Sequence, residues 1–337
     1  MSEPMRVVVR ADASREIGHG HIMRCLSLAA ALRKRGAEVQ FFSRAVEGHA
    51  FSTVGQAGFH CQPFSDNTPI PPCDWLVVDH YGLDAKWESA QRANARRILV
   101  IDDLANRQHD CDVLLDQNLN PEGPSRYLLW VPDDCQQLLG PHYALLQQNF
   151  AIERSGLLPR NGHIRKVLVC FGGSDMPDAT GRVVDALSEA FPHLLLDVVA
   201  GAANTRAAQL QERCAWHPLI TVSVAVNDMA QRMAHADLFI GAGGSMTWER
   251  AALGLPGITV SIASNQVMLC TALAARGAGI DLGPVEEFSI ASLQFQVARL
   301  IDDAPRMRDM AEKLAALCDG RGARRVSKLM LELAQQG

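Results

Sequence analysis

The sequence has little of what would assign it quickly to a class of protein. Its 337 residues include nine cysteines, an odd number, and no two of them form a Cys-x-x-Cys motif. No apolar run approaches the ~18 residues that cross a bilayer, and residues 1–6 do not begin a leader peptide. We therefore expect a cytoplasmic protein with reduced, mostly buried thiols and no structural zinc site.

Basic residues are also in short supply. Lysine and arginine number 32 against 37 acidic residues, which gives a formal net charge of −5. Nucleic-acid binding usually requires a basic face, so neither a nucleic acid nor a membrane surface is expected as a partner. A small anionic ligand is still compatible with this charge, because a pocket can be positive on an acidic protein.

The chain is too long for one typical core, and its length predicts about two domains. Short apolar stretches alternate with helical patterns in both halves, which predicts parallel sheets with right-handed crossovers. A cluster of Gly156, Pro159, Asn161 and Gly162 indicates a linker within 149–166. Strands are predicted at 7–9, 38–43, 75–79, 98–101 and 113–115, and after the linker at 167–171, 195–199, 238–240 and 258–260.

The predicted fold class is therefore α/β, with two Rossmann-like domains that face each other across a cleft. The first covers residues 1–150 and the second residues 160–337, whose tail from 304 onward has a helical pattern. Ligands of open parallel sheets bind beyond the carboxyl ends of the strands. The loops that follow the strands are thus where chemistry is expected.

The first such loop is Gly18-His19-Gly20-His21, before a predicted helix. Two glycines allow a ligand to approach the backbone closely, and the following helix start favours an anion. The third glycine of the dinucleotide-binding fingerprint is missing. His21 is either a general base or a histidine that only caps the helix. A metal site at His19 and His21 would need a third ligand, and none lies at suitable spacing.

Two further glycine loops follow strands in the second half. Gly172-Gly173-Ser174 is either a phosphate-binding nest or a tight turn. The run from Gly243 to Thr247 leads into a helix that carries Glu249, where amides could hold a diphosphate and the carboxylate a ribose diol. The alternative for Glu249 is an acid that complements the helix dipole.

Acidic residues end two strands of the first half. Asp79 closes one strand, and Asp102 and Asp103 close the next. Carboxylates at these positions either line a site or cap the following helix, and the spacing does not separate the two.

These motifs together resemble known families. The segment 237–251, continued by Gly254-Leu255-Pro256, resembles the UDP-binding segment of glycosyltransferases with the two-domain B fold. The ordered motifs at 10–14, 17–24, 78–82, 101–103 and 172–175 resemble the hydrolases that act on UDP-2,4-diacetamido-2,4,6-trideoxy-β-L-altropyranose in pseudaminic acid biosynthesis, a pathway of flagellin glycosylation.

The resemblance implies an inverting attack of water on the anomeric carbon, with UDP as the leaving group, His21 as the base and no metal or cofactor. Motifs and resemblance together assign these substrate-binding residues: Gly18, Gly20, Arg24, Asp79, Tyr81, Asp102, Asp103, Gly172, Gly173, Ser174, Asn265 and Gln266. They assign UDP binding to Gly243, Gly244, Ser245, Met246, Thr247 and Glu249.

Two other functions are compatible with the same motifs. A glycosyltransferase of this fold would use a UDP-N-acetylamino sugar as donor and would need an acceptor site in the first domain. The helix that follows His21 shows no apolar and basic face of the kind a lipid acceptor requires. A module that only binds a nucleotide-sugar would not need His21 as a base. We expect a monomer, because no long apolar helix face is left over.

Overall fold

The computed structural model describes residues 3–14, 17–65, 68–120, 122–175 and 177–336. The chain divides into two compact units, each with its own sheet and core. The first unit is Met1–Gln148 together with Arg321–Gly337, and the second is Asn149–Gly320.

The described part of the first unit is built on a parallel sheet of seven strands in the order β3-β2-β1-β4-β5-β6-β7. Its elements up to residue 143 are β1 (Arg6–Ala11), α1 (Gly20–Arg33), β2 (Glu38–Ser43), α2 (Phe51–Gln56), β3 (His60–Pro63), β4 (Cys73–Asp79), α3 (Ala85–Gln91), β5 (Ala95–Ile101), β6 (Val113–Asp116), a 3₁₀ helix (Gly123–Tyr127), β7 (Gln136–Leu139) and a second 3₁₀ helix (Pro141–Tyr143).

The described part of the second unit has a parallel sheet of six strands in the order β10-β9-β8-β11-β12-β13. The remaining elements of the chain are α4 (Gln148–Gly156), β8 (Lys166–Cys170), α5 (Ala179–Ala190), β9 (Leu195–Ala200), α6 (Ala207–Cys214), β10 (Ile220–Val224), α7 (Met229–His235), β11 (Leu238–Ala242), α8 (Met246–Ala252), β12 (Gly257–Ser261), α9 (Ser264–Ala275), β13 (Ile280–Pro284), α10 (Ile290–Ile301), α11 (Ala304–Leu317) and α12 (Gly322–Gln335).

The interior strands form because their side chains are apolar on both faces. All four residues of β6 are buried, and so are five consecutive residues of β4. Helices cover both faces of a parallel sheet, so a continuous apolar run suits an interior strand better than alternation does. The fold expected from the sequence, two Rossmann-like α/β domains, is confirmed.

The strands that the sequence did not predict are β3, β7, β10 and β13, and they are the four edge strands of the two sheets. β3 has no buried residue, and neither does β10. An edge strand has a neighbour on one side only and is half solvated, so it needs no apolar run. Hydrophobic pattern therefore found the interior strands and missed the edges.

The last helix differs from the predicted domain boundary. The sequence assigned everything after residue 160 to the second domain, whereas α12 packs into the first unit, against α1. Val326 and Met330 are fully buried in the core of that unit, and the Trp75 Nε1–H donates to the Met330 carbonyl at 3.0 Å. The predicted linker also contains a helix, α4. None of the described helices has the length and apolar character needed to cross a membrane.

Met330→Ala is expected to lower the free energy of unfolding by about 2–4 kcal/mol, because it removes a fully buried side chain and leaves a cavity. Met268, which is 58% exposed, provides the matched control. Met268→Ala should change stability by less than about 0.5 kcal/mol. Urea unfolding followed by circular dichroism measures both, and equal stabilities would contradict the place of α12 in the first core.

Candidate functional site

His21 lies in the first turn of α1 and is held by the last residue of β4. Its Nδ1 is 2.5 Å from Oδ1 of Asp79, and the imidazole is nearly buried. The residue at the N-cap position is His19, and it makes no capping hydrogen bond through its side chain. The capping interpretation of His21 therefore does not apply, because the ring is bonded to a carboxylate on another element.

Arg24, one turn further along α1, clamps the same carboxylate. Its Nε donates to Asp79 Oδ2 and its Nη2 to Oδ1, both at 2.6 Å. Burial by itself would raise the pKa of Asp79, but the charges and hydrogen bonds of Arg24 and His21 hold it well below its usual range. Asp79 is therefore a carboxylate at neutral pH and cannot donate a proton to the imidazole.

The proton of neutral His21 can be assigned from this contact. Asp79 is an acceptor at 2.5 Å from Nδ1, so Nδ1 carries the hydrogen and donates it. Nε2 then holds a lone pair, and it has no hydrogen-bond partner among the described residues. The Asp79 contact thus presents His21 as an acceptor for a proton at Nε2.

Tyr81 and Asp103 extend this cluster. The Tyr81 ring meets the imidazole of His21 edge-on at 4.6 Å between centroids. Burial and the neighbouring Asp103 raise the pKa of Tyr81 well above its usual value, so the phenol stays neutral. Asp103 also receives Nη1 of Arg24 at 3.3 Å. The guanidinium of Arg24 is therefore shared between two carboxylates of the protein.

Asp102 lies next to Asp103 but makes different contacts. Its carboxylate is fully buried and accepts from the amides of Leu104 and Ala105 and from Nη1 of Arg107. The Tyr127 hydroxyl also donates to Asp102, whose backbone carbonyl and side-chain carboxylate both lie within hydrogen-bond distance of it. These bonds fix the loop after β5, and they favour the structural role of the two that the sequence left open for Asp102.

The two glycines of the first loop, Gly18 and Gly20, are glycines for different reasons. Gly18 has φ of +71°, a conformation that favours glycine. Gly20 has no positive φ, and a Cβ at this position would meet no described atom within 4 Å. Neither conformation nor internal crowding requires glycine at position 20, so its small size leaves the surface beside His21 open.

A second buried charge cluster at this edge of the sheet was not predicted. Arg10 and Asp12 form a bidentate pair at 2.5 and 2.8 Å, and His80 Nε2 lies 3.2 Å from the same carboxylate. The amide of Gly82 donates to His80 Nδ1, so Nε2 carries the proton. The available signal was an arginine inside an apolar strand, since such a residue must be paired when it is buried.

In the second unit, close packing requires two of the three glycines at the end of β11 and in the loop that follows it. A Cβ at Gly241 would lie 1.9 Å from the carbonyl oxygen of Cys170, and one at Gly243 would lie 2.0 Å from Sγ of Cys270. At Gly244 the nearest atom would be Nε2 of Gln266 at 3.4 Å, an ordinary contact. Gly244 is thus the one of these three whose small size the surrounding protein does not demand.

The start of α8 presents polar groups that form no hydrogen bonds with the described part of the protein. The amides of Ser245 and Met246 have no acceptor among the described residues. Glu249 follows one turn later, half-buried, with no hydrogen-bond donor in the described part of the chain. Burial raises the pKa of Glu249 to about 7. Thr247 is fully buried, and its hydroxyl also lacks a described partner.

Gln266 and Asn265 stand beside this helix start, on the first turn of α9. The amide of Ile262 donates to Gln266 Oε1 at 3.0 Å, which fixes the side-chain amide. Its Nε2 therefore faces Gly244 as a donor. Asn265 is exposed. The structure thus brings together Gly243, Gly244 and Gln266, which the sequence assigned to two separate motifs.

The loop after β8 is less open to a ligand than its sequence suggests. Gly173 and Ser174 are exposed, but the carbonyls of Gly172 and Gly173 press against Gly201, where a Cβ would come within 2.4 Å. Asp175 is buried and accepts from the amides of Ala179 and Thr180 at 2.9 Å. This carboxylate occupies the start of α5, so the remaining polar surface of the loop is its exposed tip.

The arrangement of potential ligand side chains bears on whether either unit could hold a metal or cofactor. In the part of the chain that the structure describes, no three histidine, cysteine or acidic side chains come together as a metal site would require. At the predicted site, the groups that lack a partner among the described residues include Nε2 of His21 in the first unit, and the amides of Ser245 and Met246 with the Glu249 carboxyl group in the second. A base and a set of donors and acceptors for hydroxyl or phosphate groups are what these arrangements can provide.

Residues 168–326 match the family model of the glycosyltransferase family 28 C-terminal domain. The chain is 25% identical over 279 residues to the UDP-2,4-diacetamido-2,4,6-trideoxy-beta-L-altropyranose hydrolase of Campylobacter jejuni, covering 81% of this chain and 97% of that protein. It is also 26% identical to the UDP-N-acetylglucosamine--N-acetylmuramyl-(pentapeptide) pyrophosphoryl-undecaprenol N-acetylglucosamine transferase of Methylococcus capsulatus, covering 98% and 99%.

A third relative is the uncharacterized protein MJ1062 of Methanocaldococcus jannaschii, 26% identical over 75% of this chain, which spans about half (54%) of that protein's length. Among solved structures, MurG of Acinetobacter baumannii superposes with a TM-score of 0.66 at 15% identity, covering 98% of this chain and all (100%) of that one. The fold is therefore that of the two-domain B-type glycosyltransferases, and the resemblance to the altropyranose hydrolases found in the sequence is confirmed.

Gly243→Ala is expected to destabilise the protein by about 1–3 kcal/mol, because the added methyl group would overlap Sγ of Cys270. Cys270→Ala removes that sulfur, so the double variant should recover much of the loss. Gly244→Ala, where the nearest atom is at 3.4 Å, is the matched control and should leave stability nearly unchanged. Thermal unfolding of the wild type and the four variants tests this, and additive effects in the double variant would contradict the contact.

Proposed function

We propose that this protein hydrolyses a UDP-linked 2,4-diacetamido-2,4,6-trideoxy-L-altrose to UDP and the free sugar, in pseudaminic acid biosynthesis. The observation that carries the proposal is His21, whose Nδ1 is held by Asp79 and whose Nε2 has no partner among the described residues. The similarity to the Campylobacter jejuni hydrolase supports the choice of substrate. The proposal needs no metal or cofactor and treats the protein as a cytoplasmic monomer.

In the proposed reaction, a water molecule attacks the anomeric carbon of the sugar from the face opposite the diphosphate. Nε2 of His21 takes one proton from this water as its oxygen forms the new bond. The bond between the anomeric carbon and the β-phosphate oxygen breaks, and its electron pair leaves with UDP. The configuration at the anomeric carbon is therefore inverted.

Asp79 and Arg24 position the base in this mechanism. Asp79 fixes the tautomer of His21 and stabilises the imidazolium that forms when Nε2 is protonated. Arg24 donates three hydrogen bonds to Asp79 and Asp103, so its role in the proposal is to hold these carboxylates. Tyr81 and Gly20, beside the imidazole, face the sugar.

The second unit supplies the contacts to UDP in the proposal. The amides of Ser245 and Met246 donate to the diphosphate, where helix-start amides favour developing negative charge. Glu249 accepts from the ribose hydroxyl groups. Gly244 lets the diphosphate approach the backbone, and Asn265 and Gln266 contact the sugar, with Nε2 of Gln266 as a fixed donor.

A glycosyltransferase is the second candidate, because the family model and the Methylococcus capsulatus relative both point to sugar transfer. The two candidates differ in the nucleophile. Incubation of the protein with the UDP-altrose derivative alone should release UDP and the free sugar in equal amounts. If UDP appears only after an acceptor alcohol is added, the chain is a transferase and the hydrolase proposal is wrong.

His21→Asn is expected to reduce turnover by about a hundredfold or more, the usual effect of losing a general base. Binding of UDP should be unchanged, because the proposed UDP contacts all lie in the second unit. Steady-state kinetics and calorimetric titration with UDP measure the two effects. His19→Asn is the matched control and should keep near-normal turnover, because the only hydrogen bond of the His19 side chain among the described residues is to the carbonyl of Gly48. Near-normal turnover in His21→Asn would rule out its role as the base.

The affinity for UDP-sugar is expected to fall as the pH drops from 8 to 6. Burial raises the pKa of Glu249 to about 7, and its carboxylate is the form that accepts from ribose hydroxyls. Below that pKa the carboxyl group is protonated, so affinity should decrease by up to about tenfold for each pH unit. Glu249→Gln should bind more weakly at pH 8 and lose this pH dependence. An unchanged pH profile in that variant would exclude Glu249 as the titrating contact.

A further inference from the structure

Two cysteines of the first unit lie in contact at the amino ends of its strands, whereas His21 is bonded to the carboxyl end of β4. Sγ of Cys111 is 3.5 Å from Sγ of Cys135, and both thiols are free. Cys111 precedes β6 by two residues and Cys135 directly precedes β7. The pair therefore lies at the amino ends of these strands, whereas Asp79 and Asp103 are at carboxyl ends.

The β6–β7 pairing holds the two sulfurs in place. Val113 pairs with Gln136 in the parallel ladder, and the Gln136 amide donates to the Asp112 carbonyl at 2.9 Å. Because a disulfide has an S–S distance of about 2.0 Å, the sulfurs need to approach by only about 1.5 Å. Rotation of side chains next to a paired ladder can supply a movement of this size.

The two thiols are chemically unequal. Cys111 is 2% exposed, whereas Cys135 is half-buried and can be reached by a small reagent. The hydrogen bond from Cys111 lowers the pKa of Cys135, against the effect of burial. The same contact, together with burial, raises the pKa of Cys111. Cys135 is thus the nucleophile and Cys111 the thiol that resolves it.

We propose that Cys111 and Cys135 are an oxidative modification site, which hydrogen peroxide closes to a disulfide and a thiol reductant reopens. The Cys135 thiolate attacks one peroxide oxygen, the O–O bond breaks, and the hydroxide released is protonated to water. This leaves a sulfenic acid on Cys135. Cys111 then attacks the sulfenic sulfur, the S–O bond breaks, and the Cys111 proton leaves with the oxygen as a second water. Two thiols lose two electrons, and one peroxide is reduced to two waters.

Mass spectrometry of the full-length protein tests this directly. The chain is treated with hydrogen peroxide and then denatured in the presence of iodoacetamide, which alkylates the thiols that remain free. It is then digested with trypsin. Residues 108–126 and 127–154 form two tryptic peptides, each with one cysteine of the pair. We expect a cross-linked peptide lighter than the sum of the two by two hydrogens, which dithiothreitol separates. If both cysteines are instead recovered alkylated, or Cys135 is linked to a second chain, the proposal is wrong.

Cys61 provides the matched control, because it is also half-buried in the first unit but has no cysteine contact in the described residues. Burial and the charge of Asp12 raise the pKa of Cys61 to about 11, so its thiol should react slowly. Cys61→Ser should still form the cross-link at the wild-type rate. Cys111→Ser should stop at oxidised Cys135 without a cross-link, whereas equal oxidation of Cys61 and Cys135 in the wild type would overturn the proposal. The wild-type measurement decides even if a variant does not fold.

Discussion

The carboxylate of Asp79 is the group on which the first unit's polar site depends. It ends β4, one of the most apolar strands, and is completely buried. A buried charge is costly unless it is paired and hydrogen-bonded, and Arg24 and His21 satisfy both of its oxygens. The same three-residue arrangement orients the imidazole and leaves one ring nitrogen with no partner in the described part of the chain. Stability and the orientation of the proposed base thus come from one set of contacts.

The polar groups at the candidate site of the second unit are mainly backbone amides, whereas those of the first unit are side chains. Gly241 at the end of β11 and Gly243 just after it allow the chain to pass close to β8 and to Cys270, and the first amides of α8 follow directly. Glu249 is the charged exception, and it forms no ion pair with any residue that the structure describes. A carboxyl group left half-buried without a donor is unusual for a purely structural residue, because an unpaired buried polar group costs free energy. Hydroxyl groups of a ligand would provide the missing donors.

The sequence predicted the interior of the fold better than its margins. The interior strands carry continuous apolar runs, whereas the four edge strands are half solvated and carry no such pattern. At the site, His21 and Asp79 were each recognised by position, but their pairing joins residues 58 apart and has no local signal. The same is true of Gly244 with Gln266. Asp102 and Asp103 are neighbours whose carboxylates bind different partners: Asp102 accepts from its own loop and Asp103 from Arg24. Only the packing of the loop after β5 decides this difference. Single-sequence patterns report burial and turns, and they do not report which loops meet.

The position of α12 has a consequence for the order of folding. The second unit is one continuous segment of the chain, whereas the first unit takes its last helix from residues made after that segment is complete. During synthesis from the N-terminus, the second unit can acquire all of its contacts while α1 and Trp75 still lack the helix that covers them. The nascent first unit therefore exposes an apolar face of α1 for as long as the ribosome takes to make more than half of the chain. The core of the first unit is the last to be completed.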